Sequence, residues 1–269
     1  LVGREREQKE LLRLLEQDES QLCVVYGRRR VGKTFLIRET FNYRFAFSHT
    51  GIANGNTHQQ LTAFRDSLMA AGMERKPVPK DWFEAFDQLR DYLETCSQKD
   101  RLVLFIDELP WLDTPKSGFL RALEVFWNSW AADRKGLKLI VCGSATTWMT
   151  NKLLGDKGGL HNRVTRPIHL APFTLNETER YLKSIGLDWS RGEVLDAYMI
   201  FGGIPYYLSL LRPELSLRQN VDDLFFSQDA VLNSEYEFMF SSLFNTSRTY
   251  RRIVECLSSK LKGLTRPEI

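Results

Sequence analysis

Residues 27–34 have the sequence GRRRVGKT and carry the strongest single signal in the chain. The short apolar run Leu22–Tyr26 precedes them, and residues with helical spacing follow from Lys33. A glycine at each end lets the backbone curl so that successive N–H groups converge, and a helix starting there adds the positive end of its dipole. Strand, glycine loop and helix in this order fit the pattern GxxxxGK[ST], which predicts a phosphate-binding loop.

Within this loop, Lys33 is predicted to reach the β- and γ-phosphates of a nucleotide and Thr34 to ligate Mg²⁺. Three adjacent arginines have two interpretations that the sequence leaves open: they are solvated or paired with acidic neighbours, or they touch phosphate or a partner chain. The predicted nucleotide-binding residues are those of the loop and the residue after it: Gly27, Arg28, Arg29, Arg30, Val31, Gly32, Lys33, Thr34 and Phe35.

A second signal is the run LVLFIDE at residues 102–108, an apolar strand that ends in two acids. Ligands of open α/β sheets bind at the carboxyl ends of the strands, so Asp107 and Glu108 are predicted to lie near the phosphate loop. Asp107 is expected to hold Mg²⁺ through its water shell, and Glu108 to orient or polarise an attacking water. Two solvated acids at a strand end are the alternative, which the neighbouring phosphate loop disfavours.

Three further positions have both a functional and a purely structural interpretation. Ser144, at the end of an apolar run, either hydrogen-bonds the γ-phosphate or attacking water, or caps a helix. Arg163 either neutralises charge on the transferred phosphoryl group as an arginine finger or is a surface residue. The turn at residues 202–205, GGIP, is interpreted first of all as local chain geometry, and its second interpretation is that it places backbone against adenine.

Short apolar runs alternate with amphipathic stretches, which predicts a parallel sheet with helices on both faces. After residue 173 the strand signal fades and a small helical domain is predicted. The predicted strands are Leu22–Tyr26, Phe45–Ser48, Leu102–Ile106, Leu137–Cys142 and Pro167–Leu170. The predicted helices are Arg4–Gln17, Lys33–Thr40, Thr57–Ala71, Trp82–Cys96 and Gly118–Ala132, then 174–185, 191–200, 204–211, 219–227 and 248–261.

Composition describes an ordinary globular protein: 269 residues, 43% of them hydrophobic, with a formal net charge of +3. That charge is too small to argue for nucleic-acid or membrane binding. No apolar run approaches the roughly 20 residues of a membrane span, so a cytoplasmic protein without a membrane partner is expected. The four cysteines show neither a CxxC motif nor the spacing of a disulfide framework, which predicts buried free thiols. The four histidines are not spaced like metal ligands.

Six stretches, in order along the whole chain, resemble the prokaryotic "archaeal ATPase" family, which is placed in the STAND group beside the AAA+ ATPases. They are residues 1–5 (LVGRE), 26–34, 105–111 (FIDELPW), 142–144 (CGS), 168–173 (IHLAPF) and 202–205 (GGIP). The resemblance implies an AAA+-like P-loop NTPase with five parallel strands in the order 5-1-4-3-2. It divides the chain into a core (1–172), a helical lid (173–243) and the start of a winged-helix segment (244–269) that continues beyond the sequence.

The same resemblance assigns roles to single residues. It implies that Val2, Gly3 and Arg4 lie near adenine, that Ser144 is the sensor residue and that Pro205 contacts the nucleotide from the lid. Relatives more often have glycine where Asn162 precedes Arg163.

Together these features predict an ATPase that hydrolyses ATP to ADP and phosphate with Mg²⁺ and acts as a conformational switch. The alternative is a nucleotide-dependent module with negligible turnover that binds DNA or protein through its C-terminal region. A small-molecule kinase is a third possibility. Glu108 beside the metal-binding aspartate and the helical C-terminal half argue against it, because they favour water as the acceptor of the phosphoryl group. The chain lacks a guanine-reading motif, which favours ATP, and self-association is left open.

Overall fold

The structure is a computed structural model and describes residues 1–96, 101–155, 160, 162–233, 235, 247–258 and 263–266. Its strands are β1 (Gln21–Tyr26), β2 (Phe47–Thr50), β3 (Leu102–Asp107), β4 (Leu137–Gly143) and β5 (Arg166–His169). They form one sheet in the order β2-β3-β4-β1-β5, and each neighbouring pair is parallel. Read from the other edge, this is the order 5-1-4-3-2, so the predicted fold is confirmed.

The register places the functional loops at one edge of the sheet. Tyr26, the last residue of β1, pairs with Gly143 of β4 and with His169 of β5. The residues that follow β1, β3, β4 and β5 therefore emerge side by side. β2 lies two residues later than predicted, because its final residues His49 and Thr50 are polar and escape a search for apolar runs, yet they pair with Ile106 and Asp107.

Helices cover both faces of the sheet, and the described residues after β5 form helices without further strands. Two predicted helices differ most: 204–211 is shorter and ends at Leu208, and 219–227 begins earlier, since Ser216 caps it, and then changes to a π-helical turn over Asp222–Phe226. The helices are α1 (Glu5–Glu16), α2 (Lys33–Thr40), α3 (Thr57–Ala71), α4 (Trp82–Thr95), α5 (Leu109–Leu112), α6 (Phe119–Ser129), α7 (Thr146–Trp148), α8 (Leu175–Ser184), α9 (Arg191–Phe201), α10 (Pro205–Leu208), α11 (Leu217–Val221) and α12 (Ser247–Ser258).

Alternate residues of the strands enter two cores. Val24, Leu104 and Leu139 pack on one face under α3, α4 and α6, whereas Val25 and Phe105 pack on the other under α1 and α2. A third apolar cluster belongs to the C-terminal helices and runs from Phe173 to Leu232. We call the residues of this third cluster and their helices α8–α11 the lid; its bounds as a domain, and the winged-helix assignment of 244–269, stay predictions. Residues 244–246, 259–262 and 267–269 lie outside the described residues.

Two expectations from composition can be compared with the structure. Among the described residues, no helix combines the length and apolar character that crossing a bilayer requires. All four cysteines are free thiols; Cys23 and Cys142 are buried as predicted, while Cys96 and Cys256 are only partly buried.

His49 lies in the core, and its burial leads us to expect that the stability of the fold depends on pH. Its Nδ1 is 2.9 Å from Ser67 Oγ, its Nε2 has no hydrogen-bond partner among the residues that the structure describes, and burial lowers its pKa to about 4. Because the folded pKa is below the unfolded value of 6.5, the unfolded state takes up the proton first as the pH falls. We expect the free energy of unfolding to fall between pH 6.5 and about 4, by up to about 3 kcal/mol from this residue.

Chemical denaturation of the wild type and of His49→Gln across this pH range measures the effect. The wild type should lose stability more steeply than the variant, whereas His58→Gln, at an exposed histidine, should follow the wild type. Parallel stability curves for the wild type and His49→Gln would exclude the assigned role.

Candidate functional site

The loop between β1 and α2 requires glycine at its first position. Gly27 has a φ of +154°, and a Cβ added there would lie 2.2 Å from the carbonyl oxygen of Leu170, the residue that follows β5. Leu170 N in turn donates to Tyr26 O at 2.7 Å. The two backbone segments lie so close together at this point that no side chain fits between them. The turn into the loop therefore depends on Gly27.

Lys33 and Thr34 open α2 and face two different groups. The Lys33 side chain is buried, and its Nζ donates to Gly27 O at 3.1 Å and to Arg28 O at 3.0 Å, so the ammonium group lies inside the curl of the loop. The Thr34 hydroxyl donates to Asp107 Oδ2 at 2.7 Å. The loop predicted from one stretch of sequence and the acid predicted from another are therefore in direct contact.

Asp107 is buried, and hydrogen bonds hold both of its carboxylate oxygens. Oδ2 accepts from Thr34, while Oδ1 accepts from the backbone N–H of Glu108 at 2.9 Å and from the thiol of Cys142. Burial first, and the charge of Asp107 second, raise the pKa of the Cys142 thiol well above its usual value, so this group remains a donor. Sequence reasoning missed Cys142 as a contact, although it directly precedes the Gly143-Ser144 pair.

Glu108 adopts the left-handed conformation, with φ 48° and ψ 49°, just before α5. Its Oε2 accepts two hydrogen bonds from one residue, Ser144: from the backbone N–H at 3.1 Å and from the hydroxyl at 2.9 Å. Positive φ is uncommon outside glycine and concentrates at functional sites, where the surroundings hold it in place. Ser144 thus contacts Glu108, a partner that the sequence alone did not identify.

A cavity of about 620 Å³ opens above these groups, between the loop, the N-terminus and the lid. This volume is in the usual range for small-molecule sites. Of the residues predicted to bind nucleotide, those that line the cavity are Val2, Arg4, Arg30, Val31, Gly32, Lys33, Thr34, Phe35 and Pro205, with Glu108 beside them; Leu1, Leu36, Phe173, Tyr181, Tyr206 and Ser209 complete the wall.

The sequence of this chain matches a family of ATPase domains, found predominantly in Archaea, over residues 1–211. The chain belongs to this family. The family resemblance inferred from the sequence is therefore confirmed. Membership of this family indicates a P-loop nucleotide-binding domain of the ATPase type.

One curated relative and two solved structures show the degree of similarity. An uncharacterized protein of Methanocaldococcus jannaschii is 26% identical over 258 residues, which cover 96% of this chain and 54% of that protein. The chain therefore spans about half the length of the curated relative that it matches. Two solved structures share its fold: a Walker-type ATPase of Pyrococcus abyssi, with a TM-score of 0.63, 18% identity, and coverage of 100% of this chain and 87% of that one; and the ORC2 protein of Aeropyrum pernix, solved in ADPNP and ADP complexes, with a TM-score of 0.59, 14% identity, and coverage of 96% and 86%.

In this member of the ATPase-domain family, the N-terminal segment connects the loop to the residues after β5. The Arg4 guanidinium is buried, donates to Val31 O at 3.2 Å and to Ala171 O at 2.8 Å, and stacks on the ring of Phe173. Burial lowers its pKa. Gly3 packs against Phe173 and is absent from the cavity wall, while Val2 and Arg4 line it.

The structure does not bring Arg163 to the site of its own chain. Thr165 N donates to Leu22 O, so the exposed Arg163 lies near the start of β1, whereas the loop follows the end of β1. A strand of this length separates the two by roughly 17 Å. An arginine finger at this position would therefore act on a neighbouring copy, and that role stays a prediction.

The lid contributes residues to the cavity wall, and the GGIP motif at residues 202–205 was the only sequence signal for any of them. Gly203 has a φ of +66°, a Cβ there would lie 2.3 Å from Phe173 O, and its own carbonyl accepts from Phe173 N at 2.8 Å. This close contact sets Pro205 and Tyr206 at the cavity. Tyr206 follows the predicted lid motif directly, so the motif was the available signal for it; nothing in the sequence pointed to Tyr181 or Ser209.

Proposed function

We propose that this domain binds ATP with Mg²⁺ and hydrolyses it to ADP and phosphate, using the binding and release of nucleotide as a conformational switch. The observation that carries the proposal is the contact of the phosphate loop with the acidic pair: Thr34 on Asp107, with Glu108 next in the chain. The contact between Thr34 and Asp107 suits a metal-bound phosphate, and Glu108, held by Ser144, is a second carboxylate that phosphate and metal binding alone would not need.

The residues present suit a magnesium ion. Hydroxyl and carboxylate oxygens are the ligands that Mg²⁺ prefers, and in phosphate sites it takes one or two of them, with phosphates and water completing the shell. Thr34 Oγ1 and Asp107 Oδ2, 2.7 Å apart, are such a pair. When bound, the metal would neutralise charge on the β- and γ-phosphates. Together with the Lys33 ammonium group, it would give the loop two sources of positive charge.

Glu108 is the residue we assign to the attacking water. A carboxylate held through Oε2 by Ser144 keeps a fixed orientation, and its other oxygen is the acceptor that polarises water toward the γ-phosphate. The backbone N–H groups of residues 27–33 and the Lys33 ammonium would stabilise the charge that develops on the transferred phosphoryl group.

The switch is proposed from the position of the cavity. Its walls come from the core (Lys33, Glu108) and from the lid (Pro205, Ser209), so a bound nucleotide touches both. A ligand shifts the relative orientation of two bodies only when it contacts them differently in two states, and hydrolysis changes those contacts by removing the γ-phosphate.

One observation supports the alternative, a nucleotide-dependent module that binds DNA or protein with little turnover. Helix α12 has arginines at positions 248, 251 and 252 and exposes an apolar face of Tyr250, Val254 and Leu257. This helix lies outside the cavity wall and is a candidate contact for a partner. The hydrolysis assay separates the two functions.

Steady-state phosphate release from ATP, measured with Mg²⁺ and with EDTA at several protein concentrations, tests the proposal. We expect turnover with Mg²⁺ and a loss of at least about tenfold on removing the metal, since the metal stabilises transition-state charge by several kcal/mol. A rise in turnover per chain with protein concentration would favour Arg163 acting on a neighbouring copy.

Nucleotide binding without metal-dependent turnover would instead favour the binding module. Phosphate release that required an added hydroxyl compound would favour a kinase. Absence of both binding and turnover in a folded protein would overturn the proposal.

A further inference from the structure

The side chain of Arg30, the third arginine of the phosphate loop, points away from the loop and contacts the lid. Its backbone is left-handed, with φ 69°, and its carbonyl accepts from Tyr206 N at 3.4 Å. Its guanidinium carbon lies 4.4 Å from the ring centre of Tyr206 and 5.6 Å from that of Tyr207. Arginine stacked on aromatic faces is a favourable arrangement, and here it joins the loop to α10.

Glu235 completes the arrangement from a third segment. Its Oε2 pairs with Arg30 Nη1, and its Oε1 accepts from the Tyr207 hydroxyl at 2.7 Å. The side chains of the ion pair are only 23% and 15% exposed. Burial, followed by the hydrogen bond to Glu235, raises the pKa of Tyr207 to about 12, so the phenol remains a donor.

These contacts stand at the boundary of the cavity. Arg30 and Tyr206 both line it, and Pro205 lies next to Tyr206 on α10. The cavity of about 620 Å³ and the ion pair between Arg30 and Glu235 are present in the same structure. The arrangement therefore fixes the lid at a distance that leaves room for a small molecule between the two walls.

We infer that Arg30, Tyr207 and Glu235 form a clasp, a set of positioning residues that holds the lid against the phosphate loop and so sets how fast nucleotide leaves. This inference rests on the proposed nucleotide site. A ligand held between two walls escapes when one wall moves away, and the clasp is the side-chain connection across this gap, beside the backbone hydrogen bond from Tyr206 N to Arg30 O.

The pair has the features that make such a connection effective. Both charges are largely removed from solvent, which limits screening, and each has a second contact: two rings for the guanidinium and a phenol for the carboxylate. Removing one member of a hydrogen-bonded charge pair at an interface mainly speeds dissociation across that interface, and here the interface is the one between the lid and the phosphate loop.

The test is a stopped-flow measurement of the release of a fluorescent ATP analogue with Mg²⁺, chased by excess ATP, on the full chain. Glu235→Gln retains shape and removes charge, and we expect release to become roughly 5- to 20-fold faster. The effect should disappear when Glu235→Gln is added to Arg30→Met, because Glu235 acts through Arg30. Asp223→Asn, at the exposed pair Arg212–Asp223 of the lid, is the matched control and should release at the wild-type rate.

Hydrogen exchange of the nucleotide-free protein provides a readout that needs no ligand. Glu235→Gln should speed exchange in residues 27–32 and 204–209, and Asp223→Asn should not. Unchanged exchange, or faster exchange with an unchanged release rate, would overturn the clasp alone. Failure of the wild type to bind the analogue would overturn the proposed function and the role in retention together.

Discussion

Lys33→Ala is expected to lower kcat/KM for ATP hydrolysis by roughly 10²- to 10³-fold, the range for removing one pre-arranged charge donor at a reacting centre. Lys33 is 5% exposed and its ammonium group lies inside the loop, hydrogen-bonded to Gly27 O and Arg28 O. The substitution removes the cation that faces the phosphates and also releases these two carbonyls. Steady-state phosphate release measures the loss, and nucleotide affinity, measured in parallel, should weaken as well.

The control for this variant is Lys183→Ala. Lys183 is an exposed lysine of α8 whose partner is Glu179 and which is not part of the cavity wall, so the substitution removes the same charge outside the site and should leave kcat/KM unchanged. Activity above one tenth of wild type in a correctly folded Lys33→Ala protein would contradict the role assigned to Lys33.

Glu108→Gln is expected to keep ATP bound while lowering kcat by roughly 10²- to 10⁴-fold, the contribution of a positioned general base. Glutamine has nearly the same shape and its amide oxygen still accepts hydrogen bonds, so the contacts from Ser144 at 2.9 and 3.1 Å have an acceptor. The amide cannot take a proton from water. Binding and chemistry should therefore separate in this variant, with the affinity for ATP near that of wild type.

Glu179→Gln, at the exposed partner of Lys183, is the matched control and should hydrolyse ATP normally. Single-turnover measurement distinguishes slow chemistry from slow product release. If Glu108→Gln lost ATP affinity and kcat in equal proportion, Glu108 would be a binding residue and another acceptor would have to orient the water.

Most of the candidate site was predictable because its signals are local. The phosphate loop depends on two glycines, a lysine and a threonine within eight consecutive residues, flanked by a strand and a helix. Asp107 and Glu108 follow an apolar strand, and parallel strands bring their carboxyl ends to one edge. Spacing and periodicity contain that information without any knowledge of distant contacts.

Other predictions needed more than spacing. The strand order came from the family resemblance and is confirmed, but β2 lies later than predicted because its polar His49 is buried beside Phe64 instead of facing water. Arg163 fits a motif position, yet it lies at the opposite ends of the strands from the loop. Motif order describes neighbours in sequence and does not place them in space.

The sequence by itself determined the phosphate loop, the acidic pair and the alternation of strands and helices, since each depends on the conformational preferences of residues a few positions apart. Only the tertiary structure decided that Thr34 contacts Asp107, that Ser144 holds Glu108, and that Arg30 pairs with Glu235. The last pair is separated by the whole core and lid in sequence. Such contacts form when packing of the apolar cores brings remote segments together, and a short motif has no information about that packing.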